Sequence, residues 1–456
     1  MRRAVHAITA SPAHLFFFVL AIYFLSSFFS VSMKDLLPLP QGTRATSFAR
    51  KEYVIFSLPR ILRGDEMYYL MMANSLAADG DLRLSNNYAT ALRGGLDMGI
   101  YHRFRPAENF VQHFSRAPDG YLLGKHPFGL SLLLAMLLWP FANTAWMEAG
   151  SIWVTAAAGA TGVLIFMRVL LAMDVPWPKV RRTALLLAFA TPWWSYSRTL
   201  YTEVYMGCGL LVVVYCALKR QPYAALPASI FLAWFKYPGL LLFFSAGLCE
   251  LVFRKWKAFL AIGAVGFLVL CAIVFFNHSY FSGSGFVEHT TRSAKTLGAK
   301  NIVRADAPIA WVPGKFLHNI KRVFLDWDKG LFPCTPILFF ALWGGGILYK
   351  TNRQQALLIL SCAVPWILLH LSYKYLMSGA SYSTRYLVPA IPVVMLMLPA
   401  WTRRLAGWWK KTIWYGAVAI SVVTNIGAGL FPAISFDHNP AQIWMEMAAI
   451  AARPFR

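Results

Sequence analysis

The feature that most constrains this chain is a series of long apolar runs, such as "AFLAIGAVGFLVLCAIVFF" at 258–276, joined by short links that carry Lys and Arg. A helix of about 20 apolar residues crosses the hydrocarbon of a bilayer. Repetition of such runs implies an all-α polytopic membrane protein. Only 14% of the residues are charged and 58% are hydrophobic, whereas a soluble domain carries about a quarter charged residues. The formal charge of +24 does not point to nucleic acid, because the basic residues gather in short clusters between the runs. That is the pattern of cytoplasmic loops and of contact with anionic membrane lipids. The six cysteines lie in or beside apolar runs with no CxxC, so neither a disulfide framework nor a structural zinc site is expected.

Keeping short basic loops on the cytoplasmic side orders the chain into about 11 spans. The first covers 12–32 and runs outward. Met1-Arg2-Arg3 and the apolar residues after it read either as a signal peptide ending at "SVS" (30–32) or as a retained helix, and the length of the run favours the helix. A polar segment follows to Lys125. The stretch 126–140 holds about 14 apolar residues, short for a crossing, and reads as re-entrant or lying on the membrane. Spans two to four cover 149–172, 183–199 and 201–218, with Trp193 and Trp194 at the interface. A hairpin over 222–253, turning at "FKYPG" (235–239), supplies the next two. The rest cover 258–277, 332–349, 355–373, 387–401 and 412–432. Under this threading "PKVRR" (178–182), "RKWK" (254–257) and "RRLAGWWKK" (403–411) all fall inside. The chain 1–456 then forms one membrane domain with two large external loops. These are 33–148, with interfacial helices and the re-entrant segment, and 278–331.

Ionisable residues concentrate in the first loop. In "RGDEMYYLMMANSLAADGD" (63–81), Asp65 is a natural N-cap and Glu66 complements the dipole of a helix that runs to Ala78 and stops at "ADGD". Met67, Leu70 and Met71 share one face of it, suited to the membrane interface. The same helix start is also a rigid mount for a carboxylate that accepts a proton from an acceptor hydroxyl. Lys125 and His126, in "GKHPFG" (124–129), sit at headgroup level, either as anchors or as cations for a lipid phosphate. Glu203, at the outer end of its span, and Lys236, at the tip of the hairpin, are costly there unless paired or wetted. The plain alternative for both is a position just above the hydrocarbon. Arg385, in "SGASYSTRYLVPAIP" (378–392) with Ser381, Ser383 and Thr384, either grips phosphate bidentately or anchors the start of its span. His102, His113 and His126 have no metal-ligand spacing, so no cofactor is expected, and spacing alone leaves a divalent ion open.

These stretches resemble the GT-C fold glycosyltransferases that use polyprenyl-phosphate sugars, among them the protein O-mannosyltransferases and the bacterial aminoarabinose transferases. That family opens its first external loop with an Asp-Glu pair, an aromatic residue a few positions on, and a glycine-acid step after the helix. Asp65, Glu66, Tyr69, Gly80 and Asp81 match that order. "KHPFGLSLLLA" (125–135) is similar to the family's Lys/Tyr-Pro-Pro segment before a juxtamembrane helix, but His126 replaces the first proline and Phe128 follows Pro127. "ATPWWSYSRTLYTEVYMG" (190–207) resembles the stretch that carries the family's second acidic residue, which places Glu203 there. "DKGLFPCTPILFFALWG" (328–344) and the segment around Arg385 are similar to stretches of bacterial members.

The resemblance implies one inverting displacement at an anomeric carbon on the external face of a bacterial inner or cytoplasmic membrane. Asp65 would be the general base, with Glu66 beside it. Glu203 and Tyr69 would orient the acceptor, and Lys125, His126, Lys236 and Arg385 would hold the departing lipid phosphate. The implied partners are a polyprenyl-phosphate sugar, a lipid, glycan or protein acceptor, and membrane lipids, with no nucleic acid. Two other readings share the membrane setting. A transporter or flippase calls for buried charges at mid-membrane and matching broken helices in two halves, whereas the ionisable residues here crowd one interface. A lipid-linked glycan polymerase or ligase would need a long binding surface, for which 278–331 is the available loop.

Overall fold

The computed structural model describes residues 11–32, 53–56, 58–59, 61, 66–87, 114–116, 122–124, 126–280, 313–327, 329–372, 382–430 and 443–445. Asp65, His102, His113, Lys125, Ser381 and most of the 278–331 loop lie outside them. The described chain is helical apart from two short antiparallel ladders, Phe29–Ser32 (β1) on Tyr53–Phe56 (β2) and Phe114–Arg116 (β3) on Leu122–Gly124 (β4).

The helices follow the apolar runs. They begin with α1 (Pro12–Ser27), α2 (Glu66–Ala78), α3 (Gly129–Leu138) and α4 (Ala145–Ala172). A central group comprises α5 (Trp177–Phe189), α6 (Trp193–Tyr196), α7 (Glu203–Leu218), α8 (Leu226–Ala233), α9 (Leu241–Val252) and α10 (Trp256–Tyr280). The last third holds α11 (Pro313–Leu325), α12 (Leu331–Cys334), α13 (Ile337–Thr351), α14 (Arg353–Leu371), α15 (Ala390–Met395), α16 (Leu398–Thr402) and α17 (Trp408–Leu430). By length and composition, four of the described helices, α4, α10, α14 and α17, are sufficient to cross a membrane. The other spans expected from the sequence fall on apolar helices of 10–17 residues or, over 183–199, on a broken one. The expected hairpin is present, with α8 and α9 joined through Lys236 and a 3-10 turn at Tyr237–Leu240. In 126–140, α3 has ten residues and so rises only about 15 Å, half the hydrocarbon thickness.

Two expectations are corrected. Over 183–199 the chain does not run as one helix. Pro192 has no N–H to continue it, so α5 ends at Phe189 and a single turn, α6, follows. Trp193 and Trp194 are 0% and 4% exposed, in the core and not at the interface. Missing side chains make the room: a Cβ on Gly162 of α4 would lie 2.4 Å from the Trp193 ring, and one on Gly207 of α7 2.6 Å from it. The Trp193 indole N–H donates to Gly159 O at 2.9 Å, and that of Trp194 to Ser26 Oγ at 3.1 Å.

The second correction concerns α2. It starts at Glu66 and ends at Ala78 as the sequence predicts, with Gly80 turning left-handed at φ +75°. Residues Glu66 through Ser75 are buried all round, however, so Met67, Leu70 and Met71 face protein and not the membrane interface. A helix apolar on its whole circumference is a core helix. It packs on α3, where the Ser131 hydroxyl donates to Tyr69 O at 2.9 Å, and Asn74 pairs with Asn143 through bonds of 2.8 and 2.9 Å.

Two buried polar side chains tie the helix ends together. The Arg198 guanidinium donates to Gly429 O, to Leu430 O at 2.7 Å and to Phe29 O at 2.8 Å, meeting carbonyls at the end of α17 that have no helical partner. The two N–H groups of the Asn425 amide are shared among Ser421 O, Cys334 O, Ala190 O and Thr335 Oγ1, all 2.8–3.3 Å away, and its Oδ1 accepts from the Tyr382 hydroxyl at 2.9 Å.

Candidate functional site

Glu203 opens α7 with its side chain 2% exposed. At the α8–α9 turn the Lys236 ammonium donates to Glu203 Oε1 at 2.9 Å. Arg385, in a 3-10 turn (Arg385–Leu387) ahead of α15, donates from Nε to the same oxygen at 2.9 Å. Three charged groups from three parts of the chain therefore converge on one point. Their sum is one net positive charge, held where Glu203 and Arg385 are almost fully out of water.

Both cations lie over aromatic rings. The Arg385 guanidinium lies 3.7 Å from the Tyr201 ring centroid, and the Lys236 ammonium 4.8 Å from that of Tyr386. His370, buried near the end of α14, stacks on Tyr386 at 5.6 Å and hydrogen-bonds Trp366 O through Nδ1 at 2.7 Å. The loop that presents Arg385 is held by Tyr196 OH donating to Tyr382 O at 2.6 Å and by the Trp366 indole donating to Tyr386 O at 2.8 Å. Ser383 sits in the left-handed region at φ +50°, a strained conformation for a residue with a side chain.

The group has unused polar capacity. Glu203 Oε2 and the hydroxyls of its chain neighbour Thr202 and of Arg385's neighbour Thr384 are buried with no hydrogen-bond partner among the described residues. Buried polar atoms are nearly always satisfied, and here three unsatisfied ones flank two cations.

Three other expected residues, Glu66, Tyr69 and His126, sit on segments bonded to those that carry the group. Glu66, fully buried at the start of α2, accepts the Leu200 backbone N–H at 2.6 Å, three residues before Glu203. Tyr69 and Tyr68 flank the half-buried His126, with ring centroids 5.1 and 5.6 Å away. Gly129 N–H donates to Trp234 O at 3.0 Å, which fixes the His126 segment to the turn carrying Lys236. That approach needs glycine, since a Cβ there would lie 2.6 Å from the Trp234 carbonyl. Asp65 and Lys125 fall outside the described residues. Tyr201, His370 and Tyr386 were not singled out by the sequence. For His370 a signal exists, because a titratable ring inside "WILLHL" (366–371) is costly by the rule that flags Glu203. Among the described residues no group of three or more His, Cys, Asp and Glu is placed to hold a metal ion.

No protein-family model and no curated protein matches this chain. Solved structures do. ArnT from Cupriavidus metallidurans bound to undecaprenyl phosphate aligns over 96% of this chain and 76% of its own, at 14% identity and a TM-score of 0.54. The same enzyme in the apo state aligns over 96% and 75%, at 11% identity and a TM-score of 0.51. An archaeal oligosaccharyltransferase, AglB from Archaeoglobus fulgidus, aligns over 97% and 60%, at 12% identity and a TM-score of 0.49. The likeness to ArnT establishes the fold: an integral membrane protein of all-α, polytopic, GT-C-like architecture.

Proposed function

We propose that this protein is a membrane glycosyltransferase that moves a sugar from a polyprenyl-phosphate donor to an acceptor hydroxyl. The observation that carries the reading is the buried, net-positive Glu203–Lys236–Arg385 group with its unsatisfied flanking hydroxyls. A phosphodiester donor brings one negative charge and neutralises it. As the bond between the anomeric carbon and the phosphate oxygen breaks, its electron pair stays on that oxygen. The leaving monoester, with a second pKa of about 6, ends as a dianion. Cations already fixed in place stabilise that charge more in the transition state than in the ground state. The fold's likeness to ArnT, whose structure holds undecaprenyl phosphate, supports this reading.

The acceptor oxygen attacks from the opposite face, and its proton passes to a carboxylate, which we assign to Asp65. Glu66, the next residue in the chain, opens α2 and ties it to the Leu200 backbone. Glu203 was expected to orient the acceptor. Two cations already occupy one of its oxygens, and we assign it to holding Lys236 and Arg385 in place. His126 and Tyr69 pack on each other, on segments bonded to those that carry Glu203 and Lys236. The helix ends favour the external face. Lys219 and Arg220 follow α7, Arg254 to Lys257 follow α9, Arg353 opens α14, and Arg403 and Arg404 close α16. Each basic cluster lies at the end of its helix away from the site, as cytoplasmic loops would.

The test is thermal unfolding of the purified protein with undecaprenyl phosphate and, separately, with uncharged undecaprenol. A ligand at 100 times its Kd stabilises by about 2.7 kcal/mol. The expected result is a shift that requires the phosphate and is lost in Lys236→Ala. Equal shifts with both lipids would remove the phosphate site. In parallel, Asp65→Asn should abolish sugar transfer while keeping the phosphate-dependent shift, and transfer at the wild-type rate would remove Asp65 as the base.

A further inference from the structure

Away from the Glu203 group, a cavity of about 880 Å³ lies between α1, α5 and α17. Its walls are apolar, with Phe18, Leu186, Phe189, Val418 and Ile426 on the sides and Trp194 at depth. None of Glu203, Lys236 and Arg385 lines it, and its lining contains no Asp or Glu. Trp414 and Ile426 of α17 both line it, and the rise between them is about 18 Å. One leaflet of hydrocarbon is about 15 Å deep, half of about 30 Å.

One end is cationic. Lys179 and Arg182 line the cavity at the start of α5. Arg403, just past α16, is a neighbour of Lys179: burial first, and the Arg403 guanidinium second, lower the pKa of the Lys179 ammonium. None of the three forms an ion pair among the described residues. Arg182 and Arg403 are exposed and Lys179 is half-buried, so all three are within reach of a headgroup. An apolar groove one leaflet deep with an unneutralised basic mouth matches a molecule with a hydrocarbon chain and an anionic head.

We infer that this groove binds an anionic phospholipid from the leaflet on the basic side, with an acyl chain between α1, α5 and α17 and the headgroup phosphate at Lys179, Arg182 and Arg403. The basic mouth lies at the start of α5, and the groove, lined by none of Glu203, Lys236 and Arg385, does not depend on the reading of that group.

The experiment titrates the delipidated full chain in detergent micelles with dioleoyl-phosphatidylglycerol, dioleoyl-phosphatidylcholine or glycerol 3-phosphate, and counts retained lipid by native mass spectrometry. One phosphatidylglycerol should be retained in preference to phosphatidylcholine, and glycerol 3-phosphate should not displace it. Removing Lys179, Arg182 and Arg403 by Ala substitution should erode the preference by about five-fold per cation. Retention of phosphatidylcholine should stay as it is. Leu186→Trp, which fills the groove, should lower retention of both lipids. Equal retention of the two lipids, an unchanged preference in the triple variant, or displacement by glycerol 3-phosphate would each overturn the assignment. Unfolding of the triple variant at the wild-type temperature confirms that the loss is local.

Discussion

Replacing Glu203 by Gln keeps the side chain's shape and removes the charge on which Lys236 and Arg385 converge. The size of the effect follows from burial. Glu203 and Arg385 are 2% and 5% exposed, and removing one partner of a buried pair costs roughly 3–5 kcal/mol, because the other charge is left uncompensated. The Lys236 arm, 21% exposed, is screened by water and adds roughly 0–1 kcal/mol. The expected loss is therefore about 3–5 kcal/mol, dominated by Arg385. It is measured by reversible unfolding in mixed micelles, as a cycle with Arg385→Met. Groups 2.9 Å apart should couple, so the double variant should cost less than the sum of the singles by roughly 1–3 kcal/mol. A loss below about 1 kcal/mol with additive singles would refute the reasoning, since a pair so buried cannot be both intact and worthless.

Two further substitutions test how the site is mounted. Gly129→Ala sets a Cβ 2.6 Å from the Trp234 backbone, which cannot swing aside. It should shift the Lys236 turn and weaken the phosphate-dependent thermal shift more than it lowers the stability of the ligand-free protein. Asn425→Ala strips partners from Ala190 O, Cys334 O and the Tyr382 hydroxyl. It should cost about 3 kcal/mol or more, read by the same unfolding assay.

Features decided by neighbouring residues are legible in this sequence, and those decided by distant ones are not. The start of α2 at Glu66, its end before Gly80, and the turn at "FKYPG" all rest on side chains a few positions apart. The break at Pro192 is local too. The length of the apolar run argues for a continuous helix over 183–199, and the proline prevails over it. Trp193 and Trp194 read as interfacial from their place near the end of a run, yet the glycines that admit the Trp193 ring belong to α4 and α7. The all-round burial of α2 is visible in hindsight, since no charged residue falls between Glu66 and Asp79.

The candidate site divides in the same way. Glu203, Lys236 and Arg385 each stand out because a charge against an apolar run is costly unless something meets it. What meets it lies 33 and 182 residues away from Glu203, a pairing no local pattern encodes. The structure adds a distinction that the sequence lacks. Arg198 and Asn425 are as buried as Glu203, and the terminal guanidinium nitrogens of Arg198 and the amide of Asn425 meet backbone carbonyls from distant helix ends, while Arg198 Nε has no partner among the described residues. Such residues close the fold upon itself. Glu203 keeps one oxygen unused, Thr202 and Thr384 keep their hydroxyls unused, and the charges beside them sum to +1. Single unsatisfied atoms also occur elsewhere among the described residues, at Ser245 Oγ and Trp401 Nε1 for example. What sets this cluster apart is that three of them flank two cations converging on one carboxylate oxygen, and that combination is what favours an anion from outside the chain.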